Sequence, residues 1–220
     1  MILITGASSG LGAALAKIYS QEMPVCISGR NPQRLKAVAT SVESEIDTYA
    51  CDLTDEQSVV SLFDSLAHPP STIIHCAGSG YFGPIEQQSA VAIKDLLNNN
   101  ITSAIMLLRE AVKRYKHEPV TVVMVMSTAA QIAKAHESTY CAAKWAVRGF
   151  VESVRLELKG LPMKIIAVYP GGMATSFWET SGKSLNTDSF MSADEAAIML
   201  KQALIATEHG YVSDITINRG

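Results

Sequence analysis

The start of the chain constrains the fold most, because a glycine-rich turn joins a strand pattern to a helix pattern. The apolar run 2–5 leads into the segment 6–12, which reads Gly-Ala-Ser-Ser-Gly-Leu-Gly, and apolar residues then recur at helical spacing to about residue 20. The free N–H groups and positive dipole end of such a helix favour a phosphate, which glycines allow to approach closely. A packing turn is the alternative, and a P-loop is excluded because no Gly-Lys-Ser/Thr follows. We predict a dinucleotide-binding turn with the contact residues Gly6, Ser8, Ser9, Gly10, Leu11 and Gly12.

Strand and helix patterns alternate along the rest of the chain. The predicted strands after the first are 24–28, 46–50, 72–78, 120–126, 164–169 and 215–218. The predicted helices after the first are 32–42, 55–67 with Thr54 as its cap, 89–116, 138–158 and 193–207. Such alternation implies one parallel sheet that is covered by helices on both faces. The prediction is an α/β fold, a doubly wound, Rossmann-like parallel sheet of seven strands, forming a single domain over residues 1–220.

Composition and charge exclude several classes of function. The net charge is −3 without a basic block, so we predict no nucleic-acid partner. The longest apolar run, residues 120–126, is too short to span a bilayer, and the N-terminus lacks a signal-peptide pattern. We therefore predict no membrane association and a cytoplasmic location. The cysteines and histidines lack metal-ligand spacing, so we predict no metal, and cysteines that are small buried apolar residues in preference to disulfide partners.

The end of the second strand predicts which dinucleotide binds. An NAD site usually places an acidic residue here for the ribose 2′-hydroxyl, whereas an NADP site places an arginine against the 2′-phosphate. No acidic residue occurs in 24–42, and the loop contains Arg30 and Asn31, with Arg34 one turn later. A guanidinium binds a phosphate through two hydrogen bonds. Arg30 as an ordinary solvated residue is the alternative, but the pattern favours NADP(H) over NAD(H).

Other strand ends contribute residues to the same edge of the sheet, where ligands bind in folds of this kind. They are Asp52 and Leu53 after the third strand, Cys76, Ala77 and Gly78 after the fourth, and Pro170 and Gly171 after the sixth. Asp52 lies where the adenine is expected, and the small residues after the fourth strand suit a close approach of backbone to ligand. One crevice is therefore predicted to collect all of them.

A serine, a tyrosine and a lysine form the predicted catalytic group. On a helix, Tyr140 and Lys144 are four residues apart and share one face. An ammonium beside a phenol favours the phenolate, so we predict a lowered pKa for Tyr140. Ser127, at the end of the fifth strand, is placed to hydrogen-bond the oxygen that is protonated. The alternative is a helix that carries a half-buried tyrosine and a solvated lysine.

The segment 173–190 is predicted to be a mobile flap over the site. It is rich in serine, threonine and glycine and carries Phe177 and Trp178 as aromatic anchors, although a disordered surface loop is the alternative. Together with residues 79–82 and the stretch after Thr128, this flap would line the substrate pocket. The lining suggests a small, partly apolar substrate.

In this order, the motifs resemble the classical short-chain dehydrogenase/reductase family over nearly the whole chain. The turn after Thr5 resembles the family's cofactor turn, and Ser127, Tyr140 and Lys144 resemble its active site. The resemblance implies that Tyr140 is the acid in carbonyl reduction and the base in alcohol oxidation. It also implies that Lys144 lowers the tyrosine pKa and binds the nicotinamide ribose, that Ser127 polarises the substrate oxygen, and that Thr175 lies near the carboxamide.

The family resemblance also concerns the long helix 89–116. Asn100 resembles an asparagine that holds a water between Lys144 and solvent, although three consecutive asparagines, 98–100, leave its register open by one residue. The chain departs from the family at His75-Cys76, where two asparagines are usual, and at its tail, which lacks Asp-Gly-Gly. The family further implies a homodimer or homotetramer.

The sequence thus predicts an NADP-dependent oxidoreductase that interconverts a carbonyl and an alcohol on a small, partly apolar substrate. The alternative is a catalytically weak dinucleotide-binding sensor or regulator of the same fold. The complete set of Ser127, Tyr140 and Lys144 argues against a pure sensor, which has no need of an activated phenol. An epimerase or dehydratase would suit a different glycine spacing and a longer substrate region.

Overall fold

Seven parallel strands form the central sheet of the protein. The computed structural model describes residues 1–182, 185–206 and 209–220. The strands of the sheet are β1 (Ile2–Thr5), β2 (Val25–Gly29), β3 (Ile46–Ala50), β4 (Thr72–His75), β5 (Thr121–Val125), β6 (Lys164–Pro170) and β9 (Asp214–Ile217). Their spatial order is β3-β2-β1-β4-β5-β6-β9. The chain therefore winds outward from β1 in both directions, and the prediction of a doubly wound, seven-stranded parallel sheet is confirmed.

In the described part of the chain, seven α-helices cover the two faces of the sheet. They are α1 (Gly10–Tyr19), α2 (Pro32–Ala39), α3 (Glu56–Asp64), α4 (Ala90–Leu97), α5 (Ser103–Tyr115), α6 (Ser138–Glu157) and α7 (Ala193–Ala203). Side chains such as Leu15, Leu35 and Leu200 pack α1, α2 and α7 against one face. Leu62 and Leu107 belong to the core on the other face, under α3, α5 and α6. Both faces of the central strands are buried, which explains their continuous apolar sequences.

The strand register brings the functional segments to one edge. Thr5 at the end of β1 pairs with Ser28 of β2 and with His75 of β4, and His75 in turn pairs with Met124 of β5. Four adjacent strands therefore end at almost the same level. The segments that follow them emerge side by side, which is where ligands bind in folds of this kind.

The loop after β6 contains a second, two-stranded sheet that the sequence analysis did not predict. Its strands are β7 (Met173–Ala174) and β8 (Met191–Ser192), which pair in parallel. A 3₁₀ helix, Ser176–Thr180, follows β7. The segment predicted as a flap, 173–190, thus begins with regular structure and ends directly before β8, and two of its residues, 183 and 184, lie outside the described part.

Helix boundaries differ from the predictions where a different cap is used. The side chain of Asp55, and not that of Thr54, caps α3 by accepting from the Ser58 N–H at 2.7 Å. Thr54 instead binds the Asp52 carboxylate through both its N–H and its hydroxyl. The last helix ends at Ala203, and its predicted end, Thr207, lies outside the described residues. Ser192 caps this helix and forms a capping box with Glu195.

The helix predicted over 89–116 is interrupted by a π-helical turn, Asn98–Thr102, between α4 and α5. Such a turn widens the helix by one residue and is common at functional sites. The four cysteines are free thiols, of which Cys26, Cys51 and Cys141 are buried. None of the helices in the described ranges is long and apolar enough to cross a membrane.

Candidate active site

One cleft of about 420 Å³ runs along the carboxyl ends of the strands. Most predicted site residues line it: Gly6, Ser8, Ser9, Gly10, Leu11, Gly12, Arg30, Asp52, Leu53, Cys76, Ala77, Gly78, Ser127, Tyr140, Lys144, Pro170, Gly171 and Thr175. Asn31 and Asn100 are not among the lining residues. The Asn31 side chain caps α2 by accepting from the Arg34 N–H at 2.9 Å, while Asn100 is buried behind the cleft wall. The structure therefore brings the two predicted groups, for phosphate and for carbonyl chemistry, into one cleft.

The glycine turn is shaped by a close contact between backbones. Gly6 has a φ of +70°, and a Cβ atom at this position would lie 2.4 Å from the backbone nitrogen of Ala77. Only glycine lets the end of β1 approach the end of β4 so closely in this conformation. The turn then leads into α1, whose first N–H groups have no partner within the helix. These groups and the positive end of the helix dipole create a site for an anion.

Arg30 lines the same cleft as the glycine turn, and a hydrogen bond to Asn99 holds its side chain. Its Nη1 donates to Oδ1 of Asn99 at 3.1 Å, and Nδ2 of Asn99 donates to Oγ of Ser79 at 3.2 Å. Asp52 faces the same space, and the two hydrogen bonds from Thr54 keep the pKa of its carboxyl below the usual value, with a smaller effect from Arg30. The sequence analysis did not foresee the role of Asn99, although its position beside Asn100 was a signal.

Tyr140, Lys144 and Ser127 lie together at the other end of the cleft. Tyr140 and Lys144 are buried on the first turns of α6, with 7% and 5% of their surfaces exposed. The Lys144 ammonium nitrogen lies 5.5 Å from the centre of the tyrosine ring. The Ser127 side chain accepts from the Ala129 N–H at 3.1 Å and also hydrogen-bonds the phenol of Tyr140. The pairing of residues four apart on one helix face is therefore as predicted.

The predicted lowering of the tyrosine pKa is wrong for this structure. Burial raises the pKa of Tyr140 above its usual value, and the hydrogen bond from Ser127 opposes this only in part. Burial also lowers the pKa of Lys144 to about 8. Desolvation by burial is the largest cause of both shifts, which the sequence spacing could not reveal. The site thus contains a phenol that holds its proton and an ammonium that can lose one near neutral pH.

The three consecutive asparagines have three different roles. Asn98 accepts from the Thr102 hydroxyl at 3.3 Å, and Asn99 binds Arg30. Asn100 is buried and donates through Nδ2 to the carbonyls of Leu96 and Ser79 at 2.8 and 2.9 Å.

The remaining oxygen of Asn100 lies on the same side as Lys144. A Cβ atom on Gly78 would lie 2.8 Å from Oδ1 of Asn100 and 3.2 Å from Nζ of Lys144. Within the described part of the chain, this Oδ1 has no hydrogen-bond partner. The geometry therefore singles out Asn100, among the three, as the residue that is placed to act with Lys144. Its role in holding a relay water stays a prediction.

His75, at one of the two positions where the chain departs from the family pattern, connects two strands of the sheet. Its Nδ1 lies 2.9 Å from Oγ1 of Thr5, so a buried hydrogen bond joins β4 to β1 directly behind the glycine turn. Burial lowers the pKa of His75 to about 3, and the ring is neutral at physiological pH. The imidazole thus links these two strands where the family usually has an amide.

An aromatic group borders Tyr140 on the side away from the glycine turn. Phe82, Phe177 and Trp178 line the cleft there. The Phe82 ring meets the Tyr140 ring edge-on, with ring centres 5.2 Å apart, and the Phe177 ring lies 6.0 Å from it. We call Phe82, Phe177 and Trp178 the aromatic wall.

The cleft has the composition of a dinucleotide site joined to a proton-transfer site. No cluster of potential metal ligands occurs within the ranges that the structure describes. The residues fit a nicotinamide dinucleotide: the glycine turn and the start of α1 would hold the pyrophosphate, and Lys144 the nicotinamide ribose.

Comparisons with known proteins agree with this arrangement. A family model described as short chain dehydrogenase matches residues 1–186. An uncharacterised oxidoreductase, YusZ, of Bacillus subtilis (strain 168) is 30% identical over 205 residues, covering 89% of this chain and 71% of that protein. The crystal structure of a short-chain dehydrogenase/reductase from Vibrio parahaemolyticus is 59% identical with a TM-score of 0.94, covering 100% of this chain and 97% of that one. An alcohol dehydrogenase from the archaeon Thermococcus sibiricus, complexed with 5-hydroxy-NADP, is 20% identical with a TM-score of 0.88, covering 98% and 94%.

The chain belongs to the short-chain dehydrogenase/reductase family. It is an NAD(P)-dependent dehydrogenase or reductase, as the sequence analysis predicted.

Proposed function

We propose that the protein is an NADP-dependent oxidoreductase that interconverts a carbonyl and an alcohol on a small, partly apolar substrate. The observation that carries this proposal is the single cleft, which joins the glycine turn and Arg30 at one end to Tyr140 and Ser127 at the other. The cofactor and the substrate oxygen would meet between these ends. The neighbour from Thermococcus sibiricus, which was solved with an NADP derivative, is consistent with this choice of cofactor.

The residues of the cleft have distinct roles in the proposed reaction. The nicotinamide cofactor, when bound, supplies the hydride. In the direction of reduction, Tyr140 donates its proton to the carbonyl oxygen, and the raised pKa keeps that proton in place at neutral pH. Ser127 orients the oxygen by a hydrogen bond. Lys144 would hold the ribose and return a proton to Tyr140, and solvent would reprotonate Lys144 through a water that Asn100 holds.

Preference for NADP rests on Arg30. Its guanidinium lines the cleft beyond β2 and is exposed enough to reach a ligand, while Asn99 restricts its position. The only carboxylate beside it, among the described cleft residues, is Asp52, and Thr54 engages that carboxylate. A ribose 2′-phosphate would thus meet a cation at this place.

Cofactor titration tests the proposal directly. NADPH and NADH are titrated separately into wild-type protein, Arg30→Ala and the control Arg109→Ala, with nicotinamide fluorescence as the signal. Arg109 is exposed on α5, where it pairs with Glu56 away from the cleft. We expect wild type and Arg109→Ala to bind NADPH at least about tenfold more tightly than NADH, and Arg30→Ala to lose this preference, because a charged hydrogen-bonded contact contributes about 1.5–3 kcal/mol.

Each other result has a definite meaning. Tighter binding of NADH overturns the choice of cofactor and leaves the enzyme class intact. Binding of neither cofactor overturns the assignment of the glycine turn. Tight NADPH binding with no reduction of any member of a broad panel of aldehydes and ketones favours a sensor over an enzyme.

We also propose a cytoplasmic location and an assembly of two or four identical chains. The assembly is measured by light scattering of the purified protein, and a monomer at micromolar concentration contradicts it. Domain organisation is proposed as one domain over 1–220, for which a single cooperative unfolding transition is expected.

A further inference from the structure

The aromatic wall surrounds the catalytic phenol by a continuous series of ring contacts. Phe82 and Phe177 each contact Tyr140, and their own ring centres are 6.1 Å apart. Phe177 meets Trp178 nearly at right angles at 5.3 Å, and Trp178 lies 5.7 Å from Phe82. A substrate whose oxygen reaches Tyr140 and Ser127 therefore comes close to the rings that line this end of the cleft.

Contacts outside the cleft hold the rings of the aromatic wall in place. The indole Nε1 of Trp178 donates to the Met173 carbonyl at 2.8 Å, so its polar group is bonded to backbone. A Cβ atom on Gly80 would lie 2.5 Å from Cζ of Phe177, so the absence of a side chain there gives the Phe177 ring its place. Phe190 packs on Trp178 at 5.6 Å, and the Arg219 guanidinium lies 4.5 Å from the centre of the Phe190 ring. The rings are thus fixed by contacts outside the cleft and present apolar surfaces to it.

Charges at this end lie mainly at the rim. Lys134 and Glu179 line the cleft and are exposed, and the Lys134 ammonium donates to the Thr128 hydroxyl at 3.2 Å. Glu137 also lines the cleft but is buried, and it tends to raise the pKa of Tyr140. The surface beside Tyr140 thus combines the aromatic wall with this one buried carboxyl group, while the exposed charged groups lie at the entrance. This is the usual composition of a small-molecule pocket.

We propose that the substrate is an aromatic carbonyl compound or the corresponding alcohol, whose ring packs against Phe82, Phe177 and Trp178 while its oxygen contacts Tyr140. The inference rests on the proposed carbonyl/alcohol chemistry and specifies its substrate class. Rings in offset or edge-to-face contact gain about 0.5–1.5 kcal/mol per pair beyond the burial of area. A saturated ring of the same size buries a similar area without this gain. The difference is expected to appear as a preference for the aryl compound of about two- to tenfold in kcat/KM.

The test compares two aldehydes that differ only in the ring. Benzaldehyde and cyclohexanecarboxaldehyde are reduced with saturating NADPH, and the ratio of their kcat/KM values is measured in wild type and in variants. The intrinsic reactivities of the two aldehydes cancel when the kcat/KM ratios of two proteins are compared. A change in this ratio therefore measures the contribution of the aromatic wall to ring recognition. Trp178→Leu and Phe177→Leu are expected to lower the ratio about threefold or more.

Two further variants separate recognition from damage to the fold. Trp178→Tyr keeps an aromatic ring and is expected to retain most of the ratio. Trp145→Leu is the matched control, because Trp145 is a half-exposed tryptophan on α6 that contacts Arg148 and does not line the cleft. It should leave the ratio unchanged. NADPH affinity of each variant verifies that the cofactor half is intact.

The possible failures are distinguishable. An unchanged or higher ratio in both leucine variants, with normal NADPH affinity, overturns the aromatic inference. Reduction of saturated carbonyls with no turnover of aryl ones also overturns it and leaves the proposed oxidoreductase function standing. If wild type binds NADPH but reduces no carbonyl of either kind, the proposed function itself fails, and this inference fails with it.

Discussion

The two ends of the cleft are built in different ways. The cofactor end is made largely of backbone, where β1, the glycine turn and the end of β4 approach within van der Waals contact. The substrate end is made of side chains that project from loops, namely Phe82 after β4 and Phe177 and Trp178 after β6. Backbone contacts between strands fix the first end, whereas side chains can repack at the second. The same scaffold can thus keep one cofactor while its substrate changes.

The glycines show this contrast most clearly. An added methyl on Gly6 meets the backbone atoms of Ala77, in a conformation with positive φ. An added methyl on Gly80 meets side-chain atoms, namely the edge of the Phe177 ring at 2.5 Å and the tip of the Phe82 ring at 3.0 Å. A ring can rotate or shift, but paired strands cannot separate without the loss of the sheet. We therefore expect changes at the first end to affect folding and cofactor binding, and changes at the second to affect substrate selection.

The largest expected effect separates chemistry from cofactor binding. Tyr140→Phe removes only the phenolic oxygen, so kcat should fall about 10³-fold or more, in the range attributed to general acid catalysis. NADPH affinity should change less than about threefold, since the ring and its contacts remain. Steady-state kinetics and fluorescence titration provide the two numbers. Tyr49→Phe, at a half-buried tyrosine of β3, is the control. Retained turnover would remove the phenol from the mechanism.

The next prediction compares the same substitution, glycine to alanine, at the cofactor end and at the substrate end of the cleft. Gly6→Ala should destabilise the fold by about 3 kcal/mol or more, from backbone strain and overlap together. Gly80→Ala should cost less, about 1–2 kcal/mol, and change the aryl preference, because the Phe177 and Phe82 rings must move. Gly149→Ala, on α6 with open space around it, is the control and should stabilise slightly. Urea unfolding measures all three, and equal losses for Gly6→Ala and Gly80→Ala would contradict the contrast between the ends.

A pH-dependent effect follows from the buried lysine. The pKa of Lys144 falls from 10.5 to about 8 on folding, so between these values the unfolded chain binds more protons than the folded one. The contribution of Lys144 to the free energy of unfolding therefore rises as the pH increases from about 8 to 10.5. Below pH 8, the burial of this charged group lowers the free energy of unfolding by up to about 3 kcal/mol. Lys144→Met should abolish turnover, raise the urea midpoint at pH 7 and remove this slope.

The control for the lysine variant is Lys159→Met, at an exposed lysine beyond the end of α6. It should keep the pH dependence of wild type. Unfolding midpoints at pH 7 and pH 9.5 are enough to test the sign. Parallel changes with pH in wild type and Lys144→Met would mean that Lys144 is not desolvated as described.

The smallest expected effect sharpens the description of the cofactor end. Asn99→Ala frees the Arg30 guanidinium, so NADPH affinity should fall about three- to tenfold with little change for NADH. Asn98→Ala is the matched control, because its side chain binds Thr102 and not Arg30. Equal losses for both cofactors would show that Asn99 supports the fold of the cleft and does not assist recognition of the phosphate.

Much of this molecule could be read from the sequence. Apolar runs that end in glycine or small residues predicted the strands and the edge at which they end, because burial on both faces demands continuous apolar sequence. The spacing of Tyr140 and Lys144 predicted their common helix face. The N-terminal cap of α3 was predicted wrongly. Thr54 and Asp55 are adjacent and both residue types can cap a helix, so only the path of the folded chain determines that Asp55 is the cap.

The sequence by itself determined the order of strands and helices, the glycine turn and the residue types at each strand end, because these depend on local periodicity and backbone freedom. Tertiary structure alone decided which asparagine faces Lys144, that Asn99 holds Arg30, and that His75 joins β4 to Thr5. It also reversed the expected pKa of Tyr140, since desolvation depends on every neighbour that excludes water. Contacts between segments distant in sequence and the burial they cause have no local signature, and only the packed chain defines them.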